Sequence, residues 1–431
     1  MKAGARINVA LLGLGTIGTA TAQFLFEKPE VLAQHVGQPV VLKRVLVRDP
    51  DKERTVSVDA RLLTTRLDDI LDDPEIAIVV ELVGGDVGRD LIEAAVRRCK
   101  AVVTANKDVM AKHGSELLDL AHANGVEIRY EASVGGGIPL IGPFQQTLVA
   151  NRISRITAII NGTTNYILTR MAEQGTSFGA ALKEAQGLGY AEPNPRNDVE
   201  GFDAAYKLAI LSSLAFHARI RPDDIYREGI TTLDPRDFRY ARELGFNIKL
   251  LAIGREQGGC VEVRVHPALV PENTLLAQVK GVFNAVQVEG DLMGPVILYG
   301  RGAGPGPTSG VVIADIIELA KSIALGTLGK NAPAHFSSCQ VRSMSDVSTR
   351  YYLRMKVADR AGVLAQVARV LGEQGISIAS VVQKDSDEAT RTAEPVIMTH
   401  TAKESAMVKA LETMRKLEVV KEIGSLLRVE I

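Results

Sequence analysis

The feature that most constrains the fold lies near the start of the chain. An apolar run, Arg6 to Leu12 (RINVALL), passes directly into Gly13-Leu14-Gly15-Thr16-Ile17-Gly18, and an amphipathic run from Thr19 to Phe26 follows. Strand, GxGxxG and helix in that order make a βα turn able to hold a pyrophosphate. Gly13 permits the tight turn, Gly15 lets backbone approach the phosphates, and Gly18 lets the helix pack closely, while the helix N-terminus attracts the anion. A purely structural glycine turn is the competing reading. The alternation continues through Val40 to Val47, Ile76 to Leu82, Ala101 to Thr104 and Glu127 to Glu131 as strands, with helices over Asp90–Arg98 and Asp108–Asn124. That order predicts an α/β, doubly wound parallel sheet.

Two details bear on what such a sheet would bind. The strand ending at Val47 is followed by Arg48 and Asp49, with Lys52 and Arg54 close behind. A carboxylate there binds the ribose hydroxyl of NAD, whereas a cation suits the 2′-phosphate of NADP; Arg48 leans toward NADP, and Asp49 leaves NAD open. Thr104 and Lys107, in TANK, sit at the carboxyl end of a strand, where ligands bind in these sheets. A surface lysine is the plain alternative.

A second constraint comes from Gly189 to Leu214 (GYAEPNPRNDVEGFDAAYKLAILSSL). From Phe202 the run is apolar nearly all round, so it predicts a buried helix. Asp203 and Lys207 are four apart and share one face of it. Upstream, a proline-punctuated loop brings Glu192, Asp198 and Glu200. On a solvated helix an i,i+4 ion pair would explain the two charges; on a buried one a cleft site explains them better. Glu131-Ala132-Ser133-Val134-Gly135-Gly136-Gly137-Ile138 offers a carboxylate and several carbonyls to a hard monovalent cation, although composition alone suits a flexible crossover. Asn161-Gly162-Thr163-Thr164 ends a strand from Ile153 to Ile160, a common ligand-facing junction.

With 431 residues, two or three domains are expected. The net charge of −1 offers no case for nucleic acid or an anionic membrane, and no apolar stretch approaches the ~20 residues of a membrane span. Cys99, Cys260 and Cys339 lack metal-site spacing and point to a reducing, cytoplasmic setting.

Together GLGTIG (13–18), TANK (104–107), EASVGGGIP (131–139), NGTTNYIL (161–168), GYAEPNPRNDVEGFDAAYK (189–207) and GAGPGPTS (302–309) resemble homoserine dehydrogenase, across essentially the whole chain. The resemblance implies reversible hydride transfer between L-homoserine and L-aspartate 4-semialdehyde with NADP or NAD, in threonine, methionine and isoleucine biosynthesis. It implies Lys207 as catalytic lysine, Asp203 as its orienting partner, and Lys107 between nicotinamide and substrate. Glu192 and Asp198 would take the substrate ammonium, with Tyr190, Gly162 and Thr163 lining the pocket. Gly302 and Gly304 would return to the cofactor beside Gly13–Gly18. Glu131, with carbonyls of Val134, Gly136 and Ile138, would hold sodium. Asn194 and Asn197 stand where part of the family has an acidic residue. No kinase segment precedes the first strand, so the monofunctional form is expected.

The last stretch, from Thr349, reads as strand, helix, two strands, helix, strand, a ferredoxin-like order. Asp359-Arg360-Ala361-Gly362-Val363-Leu364 resembles the first loop of ACT domains, which implies an amino-acid effector, threonine by expectation, held at Asp359, Arg360, Gly362 and Val363. The resulting layout is a nucleotide domain over 1–140 and about 302–330, a catalytic and dimerisation domain over 141–301, a linker over 331–348, and an ACT domain over 349–431. A homodimer or homotetramer is expected. Two other readings compete: a reductase of another amino-acid semialdehyde or imine, and a non-catalytic ligand sensor.

Overall fold

In a computed structural model, residues 6–54, 56, 58–330, 336–387 and 389–430 are described; the linker positions 331–335 lie outside them. The chain divides into two compact units, 1–153 with 206–222 and 290–339, and 154–205 with 223–289 and 340–431.

The first unit is built on a parallel six-stranded sheet in the order Leu63–Thr64, Val40–Leu46, Ile7–Leu12, Ile76–Glu81, Ala101–Thr104, Ile128–Arg129. Strand order reverses between Ile7–Leu12 and Ile76–Glu81, the switch point at which such sheets bind dinucleotides. Val9, Leu11, Val80 and Val103 form its interior with Val312, Ile316 and Leu319 of the helix Pro305–Leu325. The chain thus re-enters this unit twice, at 206–222 and again at 290–339. That helix opens on Pro305 and Pro307, which suit a first turn where no N–H partner is needed. The last strand is shorter than the predicted Glu127–Glu131. Glu131 opens a 3₁₀ turn, Glu131–Ser133, and its N–H donates to Asp315 at 2.9 Å.

The second unit carries a sheet ordered Phe283–Gly290, Ile153–Ile159, Phe246–Gln257, Cys260–Pro271, Val420–Val429, Ser348–Ala358, Thr392–Thr399, Ile378–Asp387. Its last four strands have the ferredoxin-like arrangement, with the helices Val363–Glu373 and Glu404–Met414 packed over a core of Leu353, Val367, Leu371, Met407 and Met414. This segment is continuous with the rest of the sheet: Val420–Val429 pairs in parallel with Cys260–Pro271 at Ala268↔Arg428.

The strand Cys260–Pro271 carries polar residues that do not face water. Glu262, Arg264 and His266 are all buried, as are Arg354, Arg428, Glu394, Glu404 and Glu430 across the sheet. Arg354 donates from Nε to Asp237 Oδ1 at 2.7 Å and from Nη1 to Glu394 at 3.1 Å, while Ser425 and Tyr352 also donate to Asp237. Burial, then the neighbouring Arg428 and Arg264, push the His266 imidazole well below its ordinary range. It is therefore neutral, with Nε2 accepting from Arg264 Nε at 3.0 Å and Nδ1–H facing the Pro267 carbonyl.

No helix among the described residues is long and apolar enough to cross a membrane. Two predictions test the buried charges. Arg354→Met leaves Asp237 as an interior carboxylate without its cation, while Glu394 keeps Arg236, so unfolding free energy in urea should drop by about 3–5 kcal/mol. Lys249, on Phe246–Gln257, is buried and donates to Val279 and Asn165 carbonyl oxygens. Burial lowers its pKa from 10.5 to about 8. Below pH 8 both folded and unfolded chains carry that proton. Between about 8 and 10.5 only the unfolded chain does, so stability should rise with pH across that window. By about 1.4 kcal/mol per unit the upper bound is roughly 3 kcal/mol. Lys249→Met should remove the rise.

Candidate active site

In the second unit, the substrate-pocket candidates are assembled by one residue that the sequence analysis left without a role. Asn161 ends the strand Ile153–Ile159 and caps the helix Gly162–Gln174, its Oδ1 accepting from Thr164 N–H at 2.8 Å. With Oδ1 committed, the Nδ2 group donates to Asp198 Oδ1 at 2.7 Å and to Asp203 Oδ2 at 2.8 Å. Two carboxylates that would repel are thereby held side by side. Asp198 belongs to the short helix Arg196–Val199, and Asp203 opens the helix Phe202–Phe216. Asp203 is 3% exposed, Asp198 half-buried.

Thr163 donates from Oγ1 to the Tyr190 carbonyl at 2.7 Å. This ties the first turn of Gly162–Gln174 to the loop that carries Glu192. The Tyr190 ring meets Tyr166 edge to face, with centroids 5.1 Å apart. Tyr166 in turn donates to Glu184 at 2.8 Å. Arg170, then Tyr166, hold the Glu184 carboxyl below its usual range. Gln186 anchors the loop further by donating to the Glu192 carbonyl at 3.0 Å, leaving the Glu192 side chain exposed. Gly162 lies against Val282, where an added Cβ would come within 2.9 Å of the carbonyl oxygen.

The helix Phe202–Phe216 is buried as its composition requires: Ala204, Ala205, Leu208, Ala209, Ile210 and Leu211 are each at most 4% exposed. Asp203 and Lys207 share one face, and Lys207 is half-buried.

In the first unit, the glycine turn has the expected form. Gly15 caps the helix Thr16–Glu27, and the space where its Cβ would stand is open. A Cβ on Gly18 would lie 2.3 Å from the Gly13 carbonyl, so the turn and its helix close on each other only with glycine there. Leu14, Thr16 and Ile17 complete the turn. Beside it, the sequence analysis passed over Glu81, a fully buried carboxylate at the end of an otherwise apolar strand. It accepts from Val83 N–H, Gly84 N–H and Thr104 Oγ1, at 2.8, 2.9 and 2.7 Å. Thr104 Oγ1 accepts from Asn106 N–H, and Asn106 caps the helix Lys107–Ala123. Lys107 is therefore the first residue of a helix whose start is fixed by a buried carboxylate. Arg48 is exposed just after its strand.

Gly136 packs against the second glycine loop, where a Cβ would come 2.4 Å from the Gly302 carbonyl. Gly304, with φ 124°, caps Pro305–Leu325. The Glu131 carboxylate accepts three backbone N–H groups, from Leu140, Ile141 and Gly142. Among the described residues no group of three or more His, Cys, Asp or Glu is placed to hold a metal. In the ferredoxin-like segment, Asp359, Arg360 and Gly362 are exposed; Gly362, with φ 85°, caps Val363–Glu373, and Val363 is buried.

A dinucleotide turn at a sheet's switch point, with a buried helix bearing a carboxylate and a lysine, defines a nicotinamide-dependent oxidoreductase with an appended ACT domain. The comparisons agree. Residues 13–131 match the model for the homoserine dehydrogenase NAD binding domain, 139–317 that for homoserine dehydrogenase, and 351–419 that for the ACT domain. A Synechocystis homoserine dehydrogenase is 43% identical over 98% of this chain and 99% of its own, and the Bacillus subtilis enzyme 39% identical over 98% of each. The Thiobacillus denitrificans homoserine dehydrogenase structure superposes with a TM-score of 0.92 at 41% identity, covering 99% of this chain and 98% of its own. A hyperthermophilic archaeal homoserine dehydrogenase solved with NADPH gives 0.63 at 27% identity, over 76% of this chain and 99% of its own. The chain belongs to the homoserine dehydrogenases.

Asn161 separates its two tasks by substitution. Asn161→Ser keeps a good helix cap but cannot donate to two carboxylates, so it should fold with a loss of about 1–3 kcal/mol. Its kcat/KM for homoserine should nevertheless fall at least about tenfold, a loss of ~1.4 kcal/mol in transition-state binding. Steady-state rates beside thermal melts check this.

Proposed function

We propose that Lys207 is the proton-transfer residue of the homoserine dehydrogenase reaction, with Asp203 as its positioning partner. The observation that supports this most is the Asn161 amide, which fixes Asp203 one helical turn from Lys207 and holds Asp198 beside it. In the reductive direction, negative charge develops on the aldehyde oxygen, and the Lys207 ammonium donates the proton that makes the alcohol. In the oxidative direction the neutral amine takes that proton back. The nicotinamide, when bound, supplies or accepts the hydride. Glu192 and Asp198 take the substrate ammonium, Gly162, Thr163 and Tyr190 line its pocket, and Lys107 lies at the nicotinamide end.

The open side of Gly15 at a helix N-terminus suits a pyrophosphate. Gly13–Gly18, Thr104, Gly302 and Gly304 are the groups we assign to the cofactor. Arg48 favours NADP through its 2′-phosphate. Sodium is assigned to Glu131 with the carbonyls of Val134, Gly136 and Ile138. Among the described residues those three carbonyls accept no hydrogen bond, which suits them to a hard cation. A cation there would fix the loop packed on Gly302. Threonine is the effector assigned to Asp359–Val363, whose exposed backbone stands at a helix N-terminus, and the working form is taken as a cytoplasmic homodimer or homotetramer.

Lys207→Ala should lower kcat by about 10²–10⁴-fold, with homoserine binding changed only a few-fold. Nicotinamide absorbance with homoserine and NADP, then with NAD, measures it. Wild-type kcat in the variant would remove Lys207 from the chemistry.

A further inference from the structure

Arg428 lies on the ACT strand Val420–Val429 and is 1% exposed. Its guanidinium grips Glu228 in a two-pronged pair, Nη1 to Oε2 at 2.9 Å and Nη2 to Oε1 at 3.0 Å. From the other side it is held by Glu404, at the start of Glu404–Met414, to which Nε donates at 2.9 Å. Such fork-to-fork pairs fix orientation as well as charge. Glu228 follows the two-residue strand Tyr226–Arg227 and donates its N–H to Val265 at 2.8 Å.

The segment carrying Glu228 lies directly on the turn between the two site carboxylates. Ile230 N–H donates to the Val199 carbonyl at 2.9 Å. A Cβ on Gly229 would stand 2.3 Å from that carbonyl oxygen and 2.8 Å from Glu200 Cα. The Arg227 guanidinium lies 3.5 Å from the centroid of the Phe202 ring, the residue before Asp203. Val199 follows Asp198. The contacts from ACT strand to carboxylate are therefore Arg428 to Glu228, the Gly229–Ile230 backbone to Val199, and Asp198 to Asn161 and Asp203.

We propose that Glu228 and Arg428 are positioning residues for the homoserine site: the ACT strand sets the placement of Asp198 and Asp203 through the 226–230 segment. The proposal rests on the reading that Asp198 and Asp203 serve the substrate. Proximity alone does not establish coupling, so the assignment is tested by a response that loss of stability would not produce.

Four single variants of the full chain and one double variant are compared by steady-state kinetics with homoserine and NADP, beside thermal melts. Glu228 is 34% exposed, so Glu228→Gln tolerates loss of the charge, and Arg428→Lys keeps charge but not the fork. Gly229→Ala touches neither ion-pair partner and presses on Val199 directly. Asp198→Asn is the control for the underlying reading. Glu228→Gln and Gly229→Ala should each raise the homoserine KM about five- to tenfold, with kcat within a factor of two or three and the NADP KM unchanged. Glu228→Gln combined with Arg428→Lys should raise it no further than Glu228→Gln alone. Should Arg428→Lys fail to fold, Glu228→Gln and Gly229→Ala decide the matter. Folded Glu228→Gln and Gly229→Ala enzymes with wild-type homoserine KM, beside an Asp198→Asn enzyme whose KM rises, would overturn the proposal and leave the substrate reading standing. An unchanged KM in Asp198→Asn would overturn both.

Discussion

A single amide orders the proposed substrate site of this protein. Asn161 commits its oxygen to the start of one helix and its nitrogen to two carboxylates, at 2.7 and 2.8 Å, that lie 37 and 42 positions further along the chain. Asparagine suits the position because it brings an acceptor and two donors on one rigid group. Aspartate would add a third negative charge, and serine would reach one partner. From that junction the rest follows: the direction in which Phe202–Phe216 leaves the loop, the face on which Lys207 emerges, and the stance of Thr163, which pins Tyr190.

The second unit reaches the same end by an unusual interior. Most sheets of this kind turn a polar face to water, whereas Cys260–Pro271 buries nearly every residue on both faces. Its arginine and those of the ACT strands share carboxylates in linked sets: Arg354 with Asp237 and Glu394, Arg428 with Glu404 and Glu228, Arg264 with Glu262 and Glu430. Apolar residues of like volume would often be as stabilising. What charge contributes is register, because a guanidinium fork accepts one geometry and rejects a strand slipped by a residue.

Much of this was legible before any coordinates, and the reason is locality. The glycine turn, the parallel alternation, the buried helix with its Asp–Lys pair and the ferredoxin-like order all depend on residues within a few positions of each other. Asn161 escaped because its meaning lies in two distant partners, although it stood in view within NGTT. Glu81 escaped likewise; its one signal was a carboxylate ending the apolar run IAIVV. Alternation along Cys260–Pro271 marks a strand and leaves its surroundings open, since charges at every second position look the same whether water or arginine faces them.

The central claim, that one helix presents Asp203 and Lys207 to an amino-acid substrate held by the neighbouring carboxylates, is tested most directly by a crystal structure with NADP and homoserine bound. The account predicts the substrate hydroxyl within about 3 Å of Lys207 Nζ and its ammonium against Glu192 or Asp198. A hydroxyl directed away from Lys207, or an ammonium met by neither carboxylate, would contradict it.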